Sequence, residues 1–423
     1  MQRDIDIDTD GIAGGPEELA AATAYDPRVS FTITLARALH RFGTPTHRLE
    51  ETMHRLFERL GLIGSLFAIP TGIFASFGPP EAHKTSLIRT STPETNLEKL
   101  SQLDELAEEV IRGRVTADEG AYRVEQIVAA PSRYPVLLTI ICYSISSGAA
   151  ARFFGGGWRE ILCAAGIGLA IGCTALMLRS SENLRRVFEI AAAVLAGFIA
   201  TAATAAIAPL SSYVTTLAGL IALIPGLTLT TAMTEIATGN LVSGTARLTG
   251  AALTFLELGF GVALGERLAQ AVVAGVHHAA PEPMVRWSIW IALVAAPLAF
   301  TVLMRARPRD VGWIMAACAM GFGGARLGTW LLGPELGAFM GACALGIAGN
   351  LFARLVKRPA AVPLLPGLIL LVPGSIGLGS LAKFIQRDVM SGVEAAFEVT
   401  IVAVGLVIGL LLANVIVSPR RTL

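Results

Sequence analysis

Hydrophobic and polar residues alternate along this chain in two regimes. Residues 1–135 mix charged and apolar positions at the spacings of soluble elements, whereas residues 136–418 are apolar with charges confined to short interruptions. Between Glu189 and Glu235 there is no formally charged side chain at all. A helix crossing ~30 Å of hydrocarbon needs about 20 mostly apolar residues, so that stretch alone predicts two spans. Pro209, Ser211 and Ser212 supply the turn between them. Further uncharged runs cover 161–178, 287–304, 336–353, 359–382 and 399–419, with shorter ones at 136–151 and 311–325. The run 248–265 is interrupted only by Glu257. The pattern predicts about ten transmembrane helices.

The polar region reads differently. Residues 1–29 predict a flexible N-terminus, and 30–135 a small cytoplasmic α/β domain. Helical periodicity runs through 31–41, and Thr44-Pro45 marks a second helix start, with threonine as cap and proline in the first turn. Short β-prone segments at 62–69, 71–77 and 85–90 are separated by proline and glycine, and two helices follow near 97–112 and 117–130.

The apolar region carries an internal echo. Ile224-Pro225-Gly226 recurs as Val372-Pro373-Gly374, and the same offset of 148 places Ser243-Gly244 on Ser391-Gly392. Two membrane repeats of five helices are therefore expected, at 136–272 and 286–418. An odd number of helices per repeat inverts the second copy, an architecture that places substrate near the midplane in secondary transporters. The expected fold is an all-α polytopic membrane protein of two five-helix inverted repeats behind the α/β domain.

Composition and charge narrow the function. Charged residues make up 15% of the chain against about 25% in ordinary soluble domains, which fits a lipid-embedded majority. A net charge of +1 and the lack of a basic patch give no reason to expect nucleic acid. With the N-terminal domain placed in the cytoplasm, inside loops hold twelve Arg and Lys residues and outside loops seven, so both termini are expected to be cytoplasmic. The five cysteines lie in apolar stretches and read as packing residues. None of the four lysines completes GxxxxGK[ST], so an ion gradient or facilitated flow must drive any transport by this chain. No cofactor and no catalytic residue are implied.

Candidate transport chemistry sits where spans break or carry charge. Proline followed by glycine interrupts a helix, and a half-helix starting there offers N–H groups and a positive dipole end to a carboxylate. Pro225, Gly226, Thr228, Thr230 and Thr231 in the first half, with Pro373, Gly374 and Ser375 in the second, form the candidate substrate site; Pro366 is a further break candidate. The competing reading is a proline kink without a ligand. Glu257, tenth in its 18-residue run, is the candidate for proton coupling, against a structural hydrogen bond to a neighbouring helix. Glu189, Arg247 and Glu398 lie nearer span ends and are candidate gate residues. His47, Glu50 and His54 could share one helical face, as metal ligands do, though such a face is more often solvated; no metal is assigned.

Several stretches together resemble the threonine/serine exporter family of bacterial membrane proteins from about Phe31 to Val417. They are RFGTPTHRLEETMHRLFERLGL, NLEKLSQLDELAEEVIRGRVTADEGA, SRYP ahead of the first span, IPGLTLTTAMTEIATGNLVSGTARLTG and LLVPGS. The resemblance implies export of threonine and serine driven by the proton motive force, in a bacterial plasma (inner) membrane. The expected partners are a small amino acid or carboxylate solute, protons and the lipid bilayer, with room for a homo-oligomer. Export of dicarboxylates such as succinate is the alternative, since some split-chain relatives are associated with it. A membrane-anchored enzyme or sensor acting through the N-terminal domain is the second alternative.

Overall fold

The computed structural model describes residues 26–371, apart from 80, 82, 91–93, 179–186, 277–278 and 283, and residues 389–418. The N-terminal domain opens with helices α1 (Pro27–Arg41) and α2 (Thr46–Leu60). Strands β1 (Gly64–Ile69), β2 (Gly72–Phe77) and β3 (Lys84–Arg89) follow, then helices α3 (Leu97–Ile111) and α4 (Ala117–Ala129). The sheet is an antiparallel meander in which Gly64 faces Phe77 and Gly72 faces Arg89. Ala68, Ile73, Ala75 and Ile88 point inward onto Phe31, Leu35, Leu39, Leu49, Met53 and Leu56, while Phe67, Phe74 and Leu87 remain exposed.

Short-range signals set these boundaries. The Asp26 carboxylate caps α1 by accepting from Arg28 N at 2.9 Å, and Asn96 and Thr116 cap α3 and α4. Gly61 ends α2 with φ 64°, a left-handed conformation that suits glycine. Two expectations need correction. Helix α1 begins at Pro27, inside the stretch 1–29 expected to be flexible; residues 1–25 lie outside the described residues. Thr44 does not cap α2: Pro45 holds the N-cap position, and among the described residues no side chain of the domain caps the helix and the Thr44 hydroxyl is buried without a partner.

The apolar region is a bundle of helices. The first half contains α5 (Val136–Phe153), α6 (Trp158–Met177), α7 (Phe188–Ala206), α8 (Ser212–Gly219), α9 (Gly226–Ala237) and α10 (Leu241–Val272). The second contains α11 (Ser288–Leu303), α12 (Val311–Leu332), α13 (Pro334–Val356), α14 (Ala361–Leu371) and α15 (Val389–Ile416). Among the described residues six helices are long and apolar enough to cross a membrane: α5, α6, α7, α10, and the greater parts of α13 and α15. Leu137, Leu162, Phe260, Trp290 and Ile401 stay exposed on the bundle, as lipid-facing side chains do.

Helix pairing is similar in the two halves. In the first, α7 packs along α10; in the second, α13 packs along α15. Both contacts rely on glycine. A methyl group at Gly265 would lie 2.1 Å from the Val194 carbonyl oxygen, and one at Gly409 2.4 Å from that of Phe339. The halves meet where α5 packs on α11, and where α9 touches α14 and α15. Pro366 does not break its helix, contrary to the sequence expectation: α14 runs through it, forgoing one backbone hydrogen bond.

The N-terminal domain sits against one end of this bundle. Its core is continuous with Met304, Ala306, Ile314, Cys318, Phe352 and Val362 of the second half. The free N–H groups at the start of α3 are capped from there as well, Leu97 N donating to Met304 O and Glu98 N to Arg305 O, both at 3.0 Å. Tyr134 donates its hydroxyl to Ala306 O at 2.6 Å. Arg307 holds the Glu105 carboxylate with two bonds of 2.8 and 3.2 Å.

Candidate functional site

The segment expected to break does break. Helix α8 ends at Gly219, residues 220–225 form turns, and α9 restarts at Gly226 with Pro225 as its N-cap. Proline at that position has no N–H to continue α8, and its fixed φ suits the start of a new helix. Gly226 is buried and Pro225 half-buried. The hydroxyls differ: Thr230 is buried and donates to Gly226 O at 3.0 Å, Thr231 is half-buried and Thr228 exposed. Pro373, Gly374 and Ser375 lie outside the described residues.

Two and a half turns beyond the break, α9 delivers Glu235, a carboxylate with no solvent exposure. The turn 238–240 reverses the chain, and α10 brings Ser243 and Arg247 back beside it. Arg247 Nε donates to both oxygens of Glu235, at 3.1 and 3.0 Å. The N-terminal domain completes the shell. Thr46, first residue of α2, donates its backbone N–H to Glu235 Oε1 at 2.8 Å and its hydroxyl to the same oxygen at 2.7 Å. Since that hydroxyl proton is committed, the Ser243 hydroxyl donates to Thr46 Oγ1. The missing cap of α2 is thus a carboxylate from the bundle, placed where the positive end of the helix dipole favours it.

Titratable groups surround this pair. Burial pushes the His47 imidazole down to about 4, helped by the nearby Arg48 and Arg247 charges, and its Nδ1 has no partner among the described residues. His40 is lowered by burial too, although its Nε2 lies 2.9 Å from Ile69 O. Burial raises the Glu50 carboxyl against the opposing Ala68 N–H bond at 2.9 Å, and Glu235 adds to the rise. His47, Glu50 and His54 therefore do not converge: His54 is exposed and faces Glu58 at 3.4 Å. Among the described residues no group of three or more His, Cys, Asp or Glu is arranged to hold a metal ion.

The other charged candidates fall into place separately. Glu257 lies midway along α10, level with the first turn of α7, which carries Glu189. Arg247 belongs to the Glu235 pair, and Glu398 is exposed on α15. Sequence reasoning passed over Glu235 and Thr46. A glutamate and an arginine flanking one short turn, in TEIATGNLVSGTARLTG, signal the first pairing. No local signal announces Thr46.

A polytopic helical membrane protein with an interrupted helix and a domain docked at one end defines a class, and comparison with known proteins narrows it. Residues 30–269 match the family described as a threonine/serine exporter, and residues 288–416 match Threonine/Serine exporter, ThrE. The chain belongs to the threonine/serine exporter family. It is 28% identical over 392 residues to pheromone-regulated membrane protein 10 of Pichia sorbitophila, covering 88% of this chain and 38% of that protein. For the protein of the same name from Debaryomyces hansenii the identity is 30% over 395 residues, with 88% and 38% covered. For that of Eremothecium gossypii it is 27% over 426 residues, with 93% and 56% covered. The chain thus spans between a third and somewhat over half of the length of these relatives. No solved structure matches. The expectation of a bacterial plasma membrane is overturned: these relatives are yeast membrane proteins, which point to a eukaryotic membrane.

Proposed function

We propose that this chain is a secondary-active exporter of threonine and serine, coupled to the proton motive force. It would cross the membrane ten times as two inverted five-helix repeats, counting α8 with α9 as one crossing and α11, α12 and α14 as one each. The observation that carries this reading is the interrupted helix at residues 220–225, in a chain of the exporter family. Non-helical backbone is tolerated at membrane depth only where protein covers it or a cavity adjoins it. At the restart, the N–H groups of Leu227 and Thr228 have no carbonyl within α9 to accept them, because Leu229 N makes the first such bond, to Pro225 O. Those donors, with Thr228 and Thr231, suit a substrate carboxylate.

The inverted repeat is supported by the matching glycine-mediated contacts of α7 with α10 and α13 with α15, and by the pairing of the two leading helices, α5 and α11. A cytosolic N-terminal domain is supported by the arginines near it: Arg247, Arg305, Arg307 and Arg358 all belong to the richer side of the charge asymmetry. Glu257 is the candidate for proton coupling, because it is an ionisable side chain midway along the membrane helix α10.

Efflux from cells preloaded with labelled threonine, serine and succinate tests the proposal. Threonine and serine should leave faster with the protein than without it, and a protonophore should abolish the difference. Faster succinate efflux with unchanged threonine would reject the substrate, and indifference to the protonophore would reject the coupling. Replacing Pro225-Gly226 by Ala-Leu should stop efflux without preventing membrane insertion.

A further inference from the structure

Thr46 presents to Glu235 the two donors that a free β-hydroxy amino acid carries. Its nitrogen and Oγ1, joined through Cα and Cβ, both donate to Oε1 at 2.8 and 2.7 Å, and the Ser243 hydroxyl donates to Oγ1 from behind. Free threonine has the same N–Cα–Cβ–Oγ unit, with an ammonium in place of the amide. It also has a carboxylate, which Thr46 spends as a peptide carbonyl. Arg247 pairs with the same carboxylate through Nε, and the rest of its guanidinium carries further N–H donors of the kind that take a second carboxylate. Glu235 has no solvent exposure and the Arg247 side chain is 13% exposed, so the site is built and enclosed.

We propose that Thr46 occupies, as an intramolecular substitute, a binding site for a free β-hydroxy α-amino acid formed by Glu235, Arg247 and Ser243. The inference rests on the exporter reading for its ligand class and adds the recognition chemistry. Glu235 takes the ammonium and the hydroxyl, Ser243 supports the hydroxyl, and Arg247 takes the carboxylate. Threonine or serine entering the site displaces the start of α2 and unlatches the N-terminal domain from the first half. The domain stays attached to the second half, where its contact is an apolar core with several polar bonds at its edge rather than one carboxylate. A site built to pair a substrate hydroxyl discriminates against the analogue that lacks it, so valine, of nearly the same shape as threonine, does not compete.

Hydrogen exchange on the intact protein in lipid nanodiscs reads the displacement directly, because the Thr46 amide is one of the bonds broken. Millimolar threonine or serine should speed exchange in the peptide spanning 44–53, while valine and succinate leave it unchanged. In Thr46→Val the competing hydroxyl is gone, and half-maximal response should come at about tenfold lower threonine, the worth of one hydrogen bond to a charged group. Glu235→Gln should abolish the response. Ser243→Ala, a milder change that leaves the ion pair in place, should weaken it and guards against misfolding of the first variant. Exchange that ignores threonine, or responds equally to valine, overturns the site. The efflux assay keeps the two readings apart: efflux without an exchange response removes this site and leaves the exporter, and a response without efflux does the reverse.

Discussion

The N-terminal domain meets the two halves of the bundle through contacts of different extent and make-up. Against the second half it buries a continuous apolar surface that includes Phe352, Ile314 and Cys318, edged by the bonds of Leu97, Glu98, Tyr134 and Glu105 to residues 304–307. Against the first half its hold is the Thr46–Glu235–Arg247–Ser243 cluster, with Leu227 at the apolar margin. Apolar burial is undirected and tolerates small shifts, whereas a buried ion pair is either satisfied or costly. A domain attached in this way is carried by one half and latched to the other. On the exporter reading proposed above, relative motion of the halves would open the seam at Glu235 and leave the broader one intact.

The largest expected effect comes from leaving a buried charge alone. Glu235→Ala strands the Arg247 guanidinium and uncaps α2, and should cost about 3–5 kcal/mol, read as a lowered thermal unfolding midpoint. Replacing Glu235 and Arg247 together by apolar residues of similar volume should recover much of that loss. A double variant as unstable as the single one would show that the pair is not the source. On the apolar seam, Phe352→Ala removes a fully buried ring packed edge-on against Trp313, with centroids 5.7 Å apart. It should cost about 3 kcal/mol through the cavity it leaves, without changing amide exchange at Thr46. Faster exchange there would mean that the two seams are coupled.

Acid should loosen the polar seam selectively. His47 is held neutral well below its ordinary value of 6.5, near 4, so between those values the detached or unfolded state binds more protons than the docked one. Docking should be full above about pH 6.5 and weaken as pH falls towards about 4, because the linkage slope is positive across that window. His47→Gln should flatten that dependence, measured as domain protection from limited proteolysis; an unchanged profile would transfer the effect to another group. The smallest change is Ser243→Ala, which removes one supporting hydroxyl and should cost about 1 kcal/mol, again read as a shift in thermal midpoint.

What the sequence disclosed follows from how local each signal is. Alternation and turn residues within a few positions of each other placed all three strands of the N-terminal domain to within two residues, and Pro225-Gly226 located the helix interruption. Glu235 drew attention only as the end of an uncharged run, because its worth depends on Thr46, far away in sequence. The same distance defeated the capping argument: Thr44 had the right chemistry for an N-cap, yet the helix starts two residues later on a carboxylate that no local rule could supply. Pro366 misled for the opposite reason. Neighbouring helices hold α14 continuous through a residue that in isolation favours a stop.

Helix α2 begins on a residue whose acceptor is made much later by the ribosome. Until α9 has been synthesised and inserted, the first turn of α2 lacks its terminal anion, and the edge of the domain around His40, Thr44 and His47 faces water. The N-terminal domain therefore completes its own folding only after the bundle has assembled, since the second half supplies the carbonyls that cap α3. A fragment ending before the bundle should retain its sheet and most of its helices, with the first turns of α2 and α3 frayed.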